Sequence, residues 1–537
     1  MKEDFDFLVV GSGPSGAMAA QTLVEAGARV AMVDAGITGR DYESFLPPGD
    51  FESIRKTSAH QHRYFLGDEF ESIPWGDIKV GAQLTPARKH LVAETARLIP
   101  FVSDTFSPME SLAYGGLGSG WGLGCYVYSD AELRKAGLDV PLLRRSYQVV
   151  SDRIGISAGE DDVREQAAGS LERLLPPLRM DNSIRILNDR YLRHRQSLNR
   201  RGITWGSSSM AFLSQERAGR HATRYEDMDF YTDRDRAAYR SWFTVEGLKQ
   251  KTNFTYLPGY LAVSFSEEGG TVLLDVRHIQ TGEAQSFRAR KLLLAASALG
   301  TARIVMRSQG IQRLPLLCNP YTYMPCVNLH MLGKPLERFK TSMAQAFMIY
   351  DPDGRQEDLV SLAFFTYRSL LLYKLVKEAP LDFADGLKLM QFLQSAFVVA
   401  GIHHPDTGSD QKYLRLQPDK SSFTGDALFA HYALSQTEKS RITKREGVVL
   451  SALRQLGCFP IKRMDPGPGS SIHYAGTVPF STEERPGTTH PGGRLHGTRT
   501  VFIADGSGFN FLPAKGVTLT LMANAHAVAL AALESSQ

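Results

Sequence analysis

The stretch FDFLVVGSGPSGAMAAQTLVEAGARVAMVD, residues 5–34, decides the fold. Phe5 to Val10 is a short apolar run of the kind that makes a buried strand, and GSGPSG ends it at once. AMAAQTLVEAGA then reads as a helix packed on a sheet, and RVAMVD as a second strand. In this β-α-β setting Gly11 permits a tight turn, Gly13 lets backbone approach a pyrophosphate, and Gly16 lets the helix lie close on the strand. Ser12, Pro14 and Ser15 complete the turn, so a phosphate would meet the positive helix N-terminus. Asp34 closes the second strand, where an acid binds ribose hydroxyls and disfavours a 2′-phosphate.

The rest of the chain bounds this reading. At 537 residues it is long enough for two or three structural units. Its 61 Lys+Arg nearly balance 57 Asp+Glu, and the net charge of +4 without a long single-sign run gives no footprint for nucleic acid or a polyanion. Cys125, Cys318, Cys326 and Cys458 have no zinc, haem or C-x-x-C spacing and read as reduced buried residues, which favours a cytoplasmic location. No secretion signal is visible at the N-terminus, and no apolar run is long enough for a transmembrane segment. The apolar stretch Ser369 to Val376 could lie in a membrane interface, but it reads more naturally as packing around a substrate cavity. No internal repeat or low-complexity tract is found.

The first turn alone does not separate NAD from FAD. KLLLAASALGTARIVMRS, residues 291–308, reads as a buried strand, a small-residue turn and a helix start. RTVFIADGSG, residues 499–508, reads as a last strand ending on Asp505, with a helix from Val517 soon after. A sheet revisited by remote parts of the chain suits one extended cofactor held at several points, and so FAD.

Four segments together resemble the glucose-methanol-choline (GMC) family of flavin oxidoreductases. These are GSGPSG with Asp34; YGGLGSGWGLG, residues 114–124; AASALGTARIVMRSQG, residues 295–310; and HYAGT, His473 to Thr477, followed by VFIADGS and GVTLTLMANA. The resemblance implies an α/β fold: an FAD-binding Rossmann-like domain of the glutathione-reductase type with an interleaved α+β substrate-binding cap built on an antiparallel sheet. It implies FAD contacts at Ala35, Gly115, Gly116, Gly118, Trp121, Gly122, Val263, Ala296, Ser297, Asp505, Gly516, Val517 and Thr518, beside the residues of the first turn. The second loop contains no His in residues 101–130, so a dissociable FAD is expected.

A lone His in SIHYAGTVPF, residues 471–480, is ordinarily a satisfied structural residue. In the family pattern His473 falls at the active-site base, and neutral imidazole is suited to take a hydroxyl proton near pH 7 while hydride leaves for flavin. The helix beginning at Val517 would present its first amides to the negative charge that develops on reduction. His526, well inside that helix, reads as structural. One departure concerns the second polar residue, often His or Asn, that relatives carry just before this helix; the corresponding position here is Gly516. Lys515 and Asn510 are the nearby candidates for that catalytic role, against plain alternatives of a surface lysine and a turn residue. Trp121, where many relatives have asparagine, could wall the site or simply pack.

The FAD-binding domain is expected over 1–135, 231–318 and 466–537, and the cap over 136–230 and 319–465, with SMAQAFMIYD, LVSLAFFTYR and KYLRLQP as cap strands. The cavity should lie near Phe364, Phe365, Tyr367, His403 and His404. The adjacent histidines do not make a metal site, because neighbouring side chains diverge. The expected activity is FAD-dependent oxidation of a hydroxyl on a sugar, glycoside, polyol or other alcohol-bearing metabolite. The alternatives are a non-oxidative lyase of the same fold and a flavin-binding protein without catalysis. The chain has no haem or iron–sulfur motif, so the electron acceptor would be a separate molecule, oxygen, a quinone or an electron-transfer protein, with a lean to a dehydrogenase.

Overall fold

The computed structural model describes residues 5–39, 42–69, 85–366 and 380–535. Strand β1 (Phe5–Val10), helix α1 (Pro14–Glu25) and strand β2 (Val30–Asp34) form the β-α-β unit. Leu8, Val9 and Val10 are buried on both faces, as a parallel strand between helical layers must be. The sheet runs Phe254–Pro258, β2, β1, Ala284–Leu294, Thr271–His278, Tyr260–Glu268, with Val501–Ile503 also on Ala284–Leu294. The long strand Ala284–Leu294 pairs with Thr271–His278 along its first half and, at Leu292–Leu294, with Val501–Ile503. Three remote parts of the sequence, 5–34, 254–294 and 501–503, are thereby joined, and α1 packs between the C-terminal helix Thr518–Glu534 and the short helix Ser241–Leu248.

A second sheet, antiparallel throughout, runs Cys458–Pro460, Tyr321–Asn328, Phe397–His403, Val360–Phe365, Ala346–Tyr350, Ile203–Ser207. Its two faces follow the period of two. Val398, Ala400 and Ile402, with Leu362 and Phe364 of the next strand, enter a core shared with the helices Asn182–Asn199 and Gln436–Gln455. The alternate residues Val399, Gly401, His403, Ser361, Ala363 and Phe365 face a cavity toward the first sheet. Phe364 therefore belongs to the core, away from the expected cavity; Tyr367 and residues 369–376 lie outside the described residues.

Two parts of the expected domain division change. Helix Val140–Ile154, assigned to the cap, packs on Thr518–Glu534, and its Leu143, Tyr147, Val150 and Ile154 share one core with α1. Its apolar face fits that helix, so the first cap segment starts later than 136. KYLRLQP, expected in the cap sheet, pairs with Asp426–Tyr432 in a separate four-stranded sheet. Leu414, Leu428 and Ala430 then join the core around β1 and β2, because the short strands Leu314–Pro315 and Phe101–Val102 anchor that sheet beside the first one. All four cysteines are free and buried. No helix among the described residues is long and apolar enough to cross a membrane.

Candidate active site

A cavity of about 870 Å³ lies between the two sheets. At one end its wall is Gly11, Ser12, Gly13, Pro14, Ser15, Asp34 and Ala35; Ala296 and Ser297 border the same end. Gly11 has a φ of +97°, and a Cβ on it would sit 2.7 Å from the Ala295 carbonyl oxygen. A Cβ on Gly16 would meet the Gly11 oxygen at 1.9 Å, so this glycine is what lets α1 close on β1. A Cβ on Gly13 would meet nothing within 4 Å, leaving the backbone open where a pyrophosphate would approach. Asp34 accepts hydrogen bonds from the Ser12 and Tyr256 hydroxyls, and burial raises its carboxyl to about 6. These features fit a dinucleotide: an open backbone cradle at one helix N-terminus and a carboxylate held at the end of β2.

The second glycine loop crosses this cradle. Gly115 donates its N–H to Ser12 Oγ at 2.8 Å and accepts from Ser241 Oγ at 2.6 Å, which ties the loop to the first turn. Gly116, Gly118, Trp121 and Gly122 reach the cavity wall. Trp121 both walls the cavity and packs, since its indole N–H donates to the Tyr239 carbonyl at 2.9 Å. Farther along, Gly516, Val517 and Thr518 bring the start of the C-terminal helix to the cavity, where its free amides offer partial positive charge. Asp505 also lines it and accepts from Thr301 Oγ1 at 2.7 Å and from the Ser507 N–H at 2.9 Å. Gly16, Gly115 and Val263 are not on the wall; the first two shape it from behind, and the carbonyl of Val263 accepts from Arg307 beside Leu261 and Ala262, which do line it.

His473 stands at the other end. Tyr474–Ala475 pairs with Leu317–Cys318, which brings Asn319 beside it. Gly476, with a φ of +69°, lies so near the Phe509 carbonyl that a Cβ would fall 2.8 Å from its oxygen. Thr477 Oγ1 donates to the Ala298 carbonyl at 2.9 Å, so the small residues after His473 clamp its strand to the start of helix Ser297–Gln309.

The protonation of His473 follows from Asn319. Asn319 Nδ2 donates to the carbonyls of His404 (2.8 Å), Pro513 (2.9 Å) and Leu512 (3.4 Å), so its Oδ1 is the atom that meets His473 Nδ1 at 3.1 Å. An oxygen there accepts, and Nδ1 must carry the hydrogen. Nε2 is left with its lone pair, hydrogen-bonded to no described residue, on a ring that lines the cavity. Burial away from water pushes this imidazole down to about 4, so it is neutral near pH 7.

The structure does not bring Lys515 or Asn510 to this place. Lys515 is fully buried behind the cavity, its Nζ 2.8 Å from Glu132 Oε2 and 3.1 Å from the Val127 carbonyl. A buried ammonium needs such a partner, and the pair turns the side chain away from the substrate end. Asn510 is exposed and donates to the Phe480 carbonyl at 3.1 Å. His526 is buried against Ser146 Oγ at 3.0 Å, off the cavity wall.

Two residues of the site escape a reading of motifs. Asn319 sits in a segment of no recognisable pattern. His403 faces the cavity while His404, the residue just past the strand, points to the opposite side near Glu446, at 3.4 Å. The signal for His403 was the alternation of FVVAGIH, which puts it on the same face as Val399 and Gly401. Its ring stacks on that of His473, with centroids 4.9 Å apart and planes at 19°, and the Tyr321 ring lies against it, tilted by 41°, at 4.7 Å. Among the described residues no cluster of His, Cys, Asp or Glu could hold a metal ion.

Residues 462–525 match the family model of the GMC oxidoreductases, and residues 4–39 match that of an FAD-binding domain. No curated protein matches the chain at a significant level. Among solved structures, pyridoxine 4-oxidase from Mesorbium loti aligns over 98% of this chain and 99% of its own, at 15% identity and a TM-score of 0.58. An FAD-dependent oxidoreductase from Chaetomium thermophilum, solved with a bound fragment, aligns over 99% of this chain and all of its own, at 14% identity and a TM-score of 0.58. At such identities the likeness is one of fold.

Proposed function

We propose that this FAD-binding protein of the GMC oxidoreductase family oxidises a hydroxyl group carried on an apolar, ring-bearing molecule, with His473 as the base. When bound, FAD supplies a two-electron acceptor for hydride. The observation that carries the reading is the pinned tautomer: Asn319 holds the hydrogen on His473 Nδ1, so the Nε2 lone pair is available to take the hydroxyl proton. The amides at the start of helix Thr518–Glu534 are suited to balance negative charge on the cofactor.

The kind of alcohol is suggested by the cap sheet. Tyr321, Tyr323, Phe347, Phe365 and Val399 line the cavity, and the described residues of that sheet add no charged side chain to it. Such a wall excludes water and offers aromatic faces, which favours an aromatic or apolar alcohol over a free sugar or polyol.

Anaerobic mixing tests the proposal. Aromatic alcohols, pyridoxine among them, long-chain alcohols, sugars and polyols are added singly to the purified holoprotein while the flavin absorbance is followed. Bleaching by the aromatic or apolar group supports the assignment; bleaching by sugars alone overturns the substrate class, and no bleaching by any of them overturns the oxidation itself.

A further inference from the structure

Gly516 cannot be replaced by the larger polar residue that the family pattern has there without rearrangement, since a Cβ would fall 3.1 Å from the Gly124 carbonyl oxygen and 3.2 Å from the Tyr126 ring. Gly516 therefore offers the substrate oxygen no side-chain donor. Another imidazole comes from the facing wall. His403, at the end of strand Phe397–His403, lies on the cavity and stacks nearly parallel on His473.

We propose that His403 is a second catalytic imidazole, donating its ring N–H to the substrate oxygen while His473 takes the hydroxyl proton. The inference rests on the oxidation reading above. Two nearly parallel rings with centroids 4.9 Å apart present their edges side by side, so one oxygen at the rim can meet a nitrogen of each at hydrogen-bonding distance. Neutral imidazole always carries one N–H, and neither His403 nitrogen is hydrogen-bonded to another described residue. Burial, and then the neighbouring His473, hold His403 well below its ordinary value, so it stays neutral.

The step balances. The O–H bond breaks with its proton passing to His473 Nε2, the C–H bond breaks with its electron pair leaving as hydride, for which FAD held by the Gly11–Gly16 turn would be the acceptor, and C–O becomes C=O. His403 gains and loses no proton; its N–H holds the oxygen while negative charge passes through it. Tyr321 packs against His403, and Gly401 makes room for Tyr321, because a Cβ there would sit 2.8 Å from the Tyr321 hydroxyl.

The test compares His403→Phe, which keeps a flat ring against His473 but no N–H, with His403→Asn, which keeps a donor. Both are purified with FAD bound, and anaerobic reduction and steady-state kinetics are measured with an alcohol that bleaches the wild type. The expected result is a fall of about 10²- to 10³-fold in kcat for His403→Phe with KM within about threefold, and recovery of at least about tenfold of that loss in His403→Asn. Wild-type speed in His403→Phe overturns the proposal, as does an equal loss in both variants, which would make the ring a packing element. Failure of every alcohol to bleach the wild type would instead strike the oxidation reading on which this one stands.

Discussion

At the nucleotide end of the cavity, recognition is carried by main chain within one turn of the sequence, Gly11 to Gly16, and side chains matter mostly by being absent. At the other end three side chains, Asn319, His403 and His473, arrive from segments far apart and work through the orientation of an amide and the edges of two rings. The first end tolerates no Cβ at Gly11 or Gly16 but depends little on its neighbours' identities. The second depends wholly on identities and on the two sheets that bring them together. The cradle should therefore fail as a fold and the histidine wall as a rate.

Gly16→Ala gives the sharpest break. Its new methyl would lie 1.9 Å from the Gly11 oxygen, a distance that only separation of α1 from β1 can relieve. The expected outcome is loss of bound flavin absorbance and a lower melting temperature. A variant that keeps both would show that the cradle is softer than its geometry. His473→Ala should do the reverse. FAD is retained, and the rate of anaerobic flavin reduction falls about 10³-fold, the scale of a lost general base. Undiminished reduction would remove His473 from the mechanism.

Asn319 lets the comparison be sharpened. It fixes which nitrogen of His473 carries the hydrogen, so Asn319→Ala is expected to lower kcat by about 10- to 100-fold while leaving FAD bound, as when an orienting partner is lost. The pH profile adds a sign. His473 must be neutral to accept a proton, so kcat/KM is expected to be flat at neutral pH and to fall tenfold per unit below the imidazole's value of about 4. Asn319→Asp puts a carboxylate against Nδ1, favours the charged ring and moves that acid limb upward. An unmoved limb would assign it to another group.

The same contrast explains what could be read from the chain. The nucleotide cradle was legible because its chemistry is local: strand, glycines, helix and Asp34 fall within one β-α-β unit. His473 was singled out by the resemblance of HYAGT to a family motif, and the small residues after it let Gly476 pass the Phe509 carbonyl and Thr477 clamp Ala298. Asn319 was not, since its role depends on meeting His473 across a two-residue strand pairing that no periodicity announces. His403 was half legible: the cavity was expected near it and His404, but which of the two faces that cavity follows from the strand pairing, and its stacking partner His473 lies far along the chain. Lys515 was misplaced because proximity along the chain to Gly516 says nothing about which way a side chain leaves a turn. The hairpin Lys412–Pro418 with Asp426–Tyr432 has good strand alternation, which fixes that it pairs and not with which sheet.

Lys515 supplies the smallest effect on rate, and a large one elsewhere. Its ammonium and the Glu132 carboxylate are both 0% exposed and 2.8 Å apart, joining the turn before the C-terminal helix to helix Asp130–Lys135. Glu132 also completes the capping box with Ser129, so its carboxylate is held in place whether or not the lysine is there. Burial raises the carboxyl of Glu132 and Lys515 opposes that rise; with the lysine gone the carboxylate is left buried and unpaired. Lys515→Met is therefore expected to cost roughly 3–5 kcal/mol of stability, measured by denaturant unfolding, with kcat within about threefold of wild type where the variant is folded. Glu132→Gln added to it should return most of that stability, because the amide keeps the cap without the charge. A rate loss in Lys515→Met as large as that of Asn319→Ala would return the lysine to the reacting end of the cavity, against the direction in which its side chain leaves the turn.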